Sequence, residues 1–311
     1  MRKKLLICGG NGFQGRNMID HFLSIDKYDI RATYHKNKDA IDSYGDKVEW
    51  VQVDLTKKWD VKRALYGGCD MILQYAAVST NIVDAINKPY LHVTDNVIMN
   101  SLIFKEAYES DVSHVIFPSC TVMYDQYDEF EEDFYGIIDE DDVYFGGGTT
   151  KVYLENMCKF YSKLGDTKYT ALRQTNIIGK YDKTDIEKAH FFSTMIQKVK
   201  QAEDKIEVWG DGKEQKDLLS VVDLAHLIES ILEKQETNFD LLNVATGNTK
   251  SVTEIVEAII SVSGKELEIV YNTSKPSREN KLRLDVSSAK NRYGWKSYLT
   301  LEDVAREVLT Q

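Results

Sequence analysis

The stretch Lys3-Lys4-Leu5-Leu6-Ile7-Cys8-Gly9-Gly10-Asn11-Gly12-Phe13-Gln14-Gly15 decides the fold. A short apolar run gives way to glycines at 9, 12 and 15, and then to a helical pattern, Met18-Ile19 and Phe22-Leu23. That order suits the pyrophosphate of a dinucleotide. The strand delivers the chain, Gly9 permits the tight turn, Gly12 lets backbone approach phosphate, and Gly15 lets helix pack on strand. Backbone N–H groups at the helix N-terminus then face the anion. Gly9, Gly12 and Gly15, with Phe13 and Gln14 between them, are the first cofactor-binding candidates.

Outward from this motif, short apolar runs alternate with longer helical patterns. Strands are expected at 5–8, 30–34, 48–53, 71–75, 115–117, 171–174 and 241–244, and helices at 16–24, 59–66, 90–109 and 151–163. Such interleaving predicts an α/β protein with a doubly wound, parallel, Rossmann-type sheet. After Gln174 the rhythm changes to short pieces, a helix at 190–201, a strand-like run at 206–209, a helix at 252–263 and a strand at 267–271. They are too short for an independent domain and read as a small C-terminal cap over the sheet edge where ligands of such folds bind. The expected division is a dinucleotide-binding domain at 1–175, completed by about 218–246, and a substrate-binding cap at 176–217 and 247–311.

The balance is acidic, 50 Asp plus Glu against 39 Lys plus Arg, for a formal charge of -11. Nucleic acid and anionic membrane surfaces are therefore not expected partners. An anionic small molecule is compatible, because a few local cations and backbone dipoles decide its binding. Cys8, Cys69, Cys120 and Cys158 form no CxxC pair and read as free thiols of a reducing compartment. The six histidines make no HxxxH or HxH spacing, so no metal is expected. No apolar run reaches the roughly 18 residues of a membrane span, and Met1-Arg2-Lys3-Lys4 leads straight into a strand, so a cytoplasmic protein is expected. Between Asp125 and Asp142, ten of eighteen residues are acidic. That segment reads either as a solvated loop or as a flap beside the active site.

With these motifs in place, the chain resembles the extended short-chain dehydrogenase/reductase family, the nucleotide-sugar epimerases, dehydratases and reductases. Val53-Asp54-Leu55 resembles the segment that contacts adenine, which implies roles for Asp54 and Leu55. Tyr75-Ala76-Ala77 resembles the turn that passes the cofactor ribose and phosphates, and Asn96 the asparagine that opens a long helix. Within the family the resemblance is to the GDP-L-fucose synthase branch. It rests on Thr175-Asn176, Val208-Trp209-Gly210-Asp211-Gly212, Leu218-Leu219-Ser220-Val221-Val222-Asp223, Leu242-Asn243-Val244-Ala245-Thr246-Gly247 and Arg283-Leu284-Asp285-Val286. It implies substrate contacts at Asn176 and Trp209, and at Lys216 in the place of an arginine that holds the nucleotide diphosphate. NAD-preferring relatives end the second strand in an acid, whereas NADP sites need cations. Here Arg31-Ala32-Thr33-Tyr34-His35-Lys36 has no acid before Asp39, so NADP(H) is expected, with Lys36 foremost among Arg31, His35 and Lys36.

The family's chemistry uses Tyr-x-x-x-Lys on one helix, assisted by a Ser/Thr. Lys151 matches the lysine that binds the ribose, but four residues earlier stands Gly147 instead of tyrosine. Tyr144 would substitute for it if Gly146-Gly147-Gly148 bends the chain back. In Ser119-Cys120-Thr121-Val122 the Ser/Thr position falls on Cys120, with Thr121 next, while a one-residue shift would use Ser119 and Thr121. Cys120 also reads as a small core residue. His190 stands where fucose synthases carry a histidine acid/base, or else it is satisfied on the apolar face of Ala189-His190-Phe191-Phe192.

Two functions follow from the resemblance. One is an NADP(H)-dependent epimerase or reductase acting on a 4-keto nucleotide-diphospho-sugar, using Lys151, Cys120, Thr121, Tyr144 and His190. The other is a binding protein that has lost hydride chemistry. The resemblance also implies a homodimer through a four-helix bundle, with Val97, Ile98, Leu102, Ile103, Val152, Leu154 and Phe160 at the contact.

Overall fold

The structure, a computed structural model, describes residues 2–78, 87–124, 129–130, 140, 144–186, 189–275 and 283–310. Most of the acidic segment 125–142 lies outside them. Seven strands form the central sheet: β1 (Lys3–Cys8), β2 (Tyr28–Tyr34), β3 (Val48–Gln52), β4 (Met71–Gln74), β5 (His114–Cys120), β6 (Lys168–Gln174) and β7 (Phe239–Val244). Their order is β7-β6-β5-β4-β1-β2-β3 and every pairing is parallel. All seven C-terminal ends therefore share one edge, and the order reverses at β1, where a crevice opens.

Alternation along each strand builds two cores. Leu5 and Ile7 face one side and meet Met18 and Phe22 of α1 (Phe13–Ser24). Leu6 and Cys8 face the other side and join the cluster of Met99, Ile103 and Phe104 of α3 (Thr94–Glu109) and Leu154 and Cys158 of α4 (Phe145–Tyr161), with α2 (Lys58–Leu65) at its flank. Ile103 and Leu154, expected at a dimer contact, are thus fully buried core residues. A third cluster lies within the cap. There α5 (Phe191–Gln201), α7 (Val252–Ser263) and α9 (Leu301–Leu309) enclose the parallel pair Lys205–Trp209 and Glu268–Asn272. Capping boxes Ser251/Glu254 and Thr300/Asp303 start α7 and α9 by satisfying exposed N–H groups. Between β6 and β7 in sequence, α6 (Val221–Lys234) returns to cover the first core, which Ala289 and Tyr293 of α8 (Ser287–Tyr293) also join.

Two elements depart from expectation. Helix α4 begins at Phe145, six residues before Lys151, because the glycine run continues the helix instead of breaking it. Residues 90–109 divide into a 3₁₀ turn, Pro89–His92, and α3 from Thr94.

One buried ion pair ties α4 to the sheet. Arg173 of β6 donates through Nε (3.1 Å) and Nη2 (2.7 Å) to Glu155 of α4, and neither side chain is solvent-exposed. Ser119 donates its hydroxyl to the same carboxylate. Arg173 Nη1 reaches the Tyr124 hydroxyl (2.6 Å), which donates to Asn243 of β7 (2.7 Å). Because Glu155→Ala strands a buried guanidinium, it should cost about 3–5 kcal/mol of unfolding free energy in urea denaturation. A loss below about 1 kcal/mol would show that water reaches Arg173.

Candidate active site

At the C-terminal edge, Gly9 has φ +71°, and a Cβ there would lie 2.7 Å from the Ala76 amide nitrogen. At Gly15 a Cβ would lie 2.2 Å from the Gly9 carbonyl oxygen. Side chains at either position would push the helix or the β4 turn off the strand, so the sequence reading of these glycines holds sterically. Gly12 caps α1 without a side-chain acceptor, and the first turn carries no acid. Its free N–H groups and the helix dipole are available to an anion.

The neighbouring turns are held by side chains. Asn96 Oδ1 accepts from Val78 N (2.9 Å), and its amide donates to the carbonyls of Val78 and His92. Asn96 thus fixes the segment Tyr75-Ala76-Ala77 after β4. Asp54, after β3, accepts from the Thr56 hydroxyl (2.6 Å) and backbone, and with Lys57 these bonds hold its carboxyl below the usual range. Leu55 beside it is buried. Lys36 is exposed just past β2, as are His35 and Lys38. Arg31 is not available to a ligand. It sits mid-strand and bonds Glu49 (2.8 Å) and the carbonyls of Ala64 and Tyr66.

Gln14 Oε1 and Gln74 Oε1, buried near this edge, have no hydrogen-bond partner among the described residues. The Tyr75 phenol and the Gln174 amide nitrogen have none there besides each other, and burial pushes the phenol well above its usual range. Gln174 lies between Cys120 and Val244 in register. Orphaned polar atoms are costly unless a ligand meets them. Together with the glycine cradle, they fit a bound dinucleotide.

Lys151 comes off α4 onto the end of β5. Its ammonium donates to the Pro118 carbonyl (2.6 Å) and lies 4.7 Å from the Phe117 ring centroid. Burial pulls its pKa down, partly offset by Cys120 and Glu155. Cys120 is half-buried, packed with Met123 and Tyr124, and burial raises its thiol against the pull of Lys151. Ser119 is spent on Glu155, so the shifted register leaves Thr121, half-buried beside Cys120, as the hydroxyl at the site. Gly147 is helical, one turn before Lys151 on the same face, and a Cβ there meets no described residue within 4 Å. The glycine run does not bend back. Tyr144 ends up two turns, about 10.5 Å, ahead of Lys151.

The cap brings a second group together. Lys216 pairs with Glu214 (2.6 Å) and stands over the Phe191 ring. His190, next to Phe191, is an exposed residue at the start of α5, not a histidine satisfied on an apolar face. Trp209 exposes two-fifths of its surface, with Lys198 and Lys275 near its ring. The Thr175 hydroxyl and the Asn176 amide both donate to the Asp217 carbonyl. Asp217 is a residue that the sequence reading missed. Its carboxylate accepts from Thr246 N, Thr246 Oγ1 and Gly247 N, all at 2.9 Å, while burial pushes it up to about 6. It knits the β6 and β7 loops to Lys216, and its place between a cation and an apolar run was the only signal. Gln174, beside Thr175-Asn176, was also missed.

The sequence profile of the NAD dependent epimerase/dehydratase family matches residues 5–245. The chain belongs to that family. It is 25% identical to a GDP-L-fucose synthase of Azorhizobium caulinodans, over 96% of this chain and 93% of that protein. It is 22% identical to a GDP-L-colitose synthase of Yersinia pseudotuberculosis, over 96% and 94%. Among solved structures, a UDP-N-acetylglucosamine 4-epimerase from Methanobrevibacter ruminantium superposes with a TM-score of 0.87 at 19% identity, covering 99% of this chain and 97% of that one. No helix among the described residues is long and apolar enough to cross a membrane.

As a member of an NAD(P)-dependent family, the protein should need Lys151 for its cofactor. Lys151→Met should weaken dinucleotide binding at least about fivefold in fluorescence titration, as expected for loss of a charged hydrogen bond. Unchanged affinity would mean that the lysine only props up β5.

Proposed function

We propose that this chain is an NADP(H)-dependent epimerase or reductase of a 4-keto nucleotide-diphospho-sugar, in the manner of the GDP-L-fucose synthases. The observation that carries this reading is the meeting of Lys151 with the end of β5 at the edge where the glycine turn opens. Residues 1–175, completed by about 218–246, would bind the dinucleotide, and 176–217 with 247–311 the sugar nucleotide. Lack of an acid at the end of β2, with Lys36 exposed there, supports NADP(H) over NAD(H).

Bound there, the nicotinamide would exchange hydride with the sugar at C4. Lys151 would hold its ribose. Thr121 and Cys120 would deliver the proton to the sugar oxygen, directly or through water, because Gly147 has none to give. Lys216 would supply a point charge to the diphosphate, Trp209 a ring face to the nucleotide, and Asn176 and His190 further contacts to the substrate.

Glycine at 147, which has no proton to give, favours a second reading, a protein that binds both ligands without turnover. Gly147→Tyr separates the two. Since the backbone is helical and a Cβ at 147 meets no described residue within 4 Å, tyrosine should gain about 0.5 kcal/mol of helix propensity. NADPH oxidation by nucleotide-linked 4-keto sugars should be measurable in the parent chain and rise at least about tenfold in the variant, within the range of a general acid. Tight NADPH binding with no oxidation in either protein would support the non-catalytic reading.

The outer face of α3 and α4 exposes Ile98, Tyr153 and Phe160, with Leu164 just beyond. A second copy of this chain would cover it as a symmetric dimer. Light scattering at micromolar concentration should return twice the chain mass, and Phe160→Glu should return the monomer. A monomeric parent would reject the dimer.

A further inference from the structure

The glycine turn is tied to the loop after β2 by one side chain. Asn11 donates from Nδ2 to the Asn37 carbonyl (3.0 Å) and accepts at Oδ1 from Ala40 N (3.0 Å). It therefore grips both ends of the short loop 37–40, which carries exposed Lys38 with Asp39 as its one carboxylate and is bordered directly by exposed Lys36. The rest of the loop is tied down by its own contacts. Gln52 donates to the His35 carbonyl (3.0 Å), Asn37 Oδ1 accepts from Asp39 N (2.8 Å), and Ala40 is buried. The turn is in turn fixed to β2, since Gly9 N and Gly10 N donate to Thr33 Oγ1 (3.0 Å) and Thr33 O (2.9 Å). Turn and loop thus form one hydrogen-bonded unit, with free helix N–H groups at one end and two lysines at the other.

We infer that Asn11 is a positioning residue for cofactor choice. By clamping residues 37–40 to the turn that receives the pyrophosphate, it holds Lys36 and Lys38 at a fixed distance from that turn, where the 2′-phosphate of the adenosine must lie. This rests on the proposed preference for NADP(H). A lysine on an unclamped loop loses both loop and rotamer freedom when it meets a phosphate, so releasing the clamp weakens the 2′-phosphate contact and spares the pyrophosphate contact.

Fluorescence titration of the full chain with NADPH and NADH tests this. The parent should bind NADPH more tightly. Asn11→Ala should lower the NADPH-to-NADH affinity ratio at least about fivefold, the scale of one or two net hydrogen bonds, with NADH affinity within about twofold of the parent. In a Lys36→Met/Lys38→Met background the same change should move the ratio less than about twofold, because the clamp then positions nothing. Asn11→Gly, which any backbone conformation at this turn accepts, should behave as Asn11→Ala and guards against a folding defect. Equal affinities in the parent, or tighter NADH, overturn the NADP(H) reading itself. A parent that prefers NADPH while both Asn11 variants keep the ratio, or lose both ligands equally, overturns the role of Asn11 alone.

Discussion

The site depends on the buried pairing of Glu155 with Arg173. Two unit charges with no exposed side-chain surface are expensive to desolvate, and such pairs often add little net stability. Here the cost is offset by a network in which each remaining polar position has a partner: Ser119 on Glu155, Tyr124 on Arg173, and Asn243 on Tyr124. What the network contributes is register. Helix α4 can slide on the sheet only by breaking a bidentate pair inside an apolar layer, so Lys151, one turn earlier, stays at the Pro118 carbonyl.

The same logic separates what could be read in the sequence from what could not. β1 and α1 were legible because period-two and helical patterns adjoin at glycines whose roles are steric. A Cβ at Gly9 would strike the backbone of Tyr75 and Ala76, and one at Gly15 the backbone of Gly9 and Gly10. The start of α4 was not legible. Three glycines carry a helix penalty of about 1 kcal/mol each and read as a break, but tertiary packing of Gly148, Thr150 and Leu154 outweighs local propensity. Arg31 looked free because its partners, Glu49 and the carbonyls of Ala64 and Tyr66, are distant in sequence. Ile103 and Leu154 looked like surplus apolar surface because a long helix beside a sheet buries a wider stripe than its sequence alone declares.

Residues acting through backbone contacts escaped in a different way. Asp217 and Asn11 belong to no chemical pattern, and their importance lies in which loops they join. A sequence motif records the groups that meet a ligand. It does not record the side chains that hold those groups still, since such contacts depend on loop geometry that only the folded chain defines.

The loss of a tyrosine proposed for α4 can be understood from this division of labour. The candidate binding elements are distributed over six strand ends and two helices, so replacing one side chain among them would not dismantle the rest. The proton donor is one side chain on one turn. Its proposed loss at Gly147 would leave the α4 backbone helical, Lys151 in place and the Glu155 network intact, because a Cβ at that position meets no described residue within 4 Å. On the proposed reading, the substitution would change chemistry without changing architecture. The sheet edge would keep its place for dinucleotide and sugar. How fast a proton arrives there would then be decided by the half-buried groups that remain, Thr121 and Cys120, and by water.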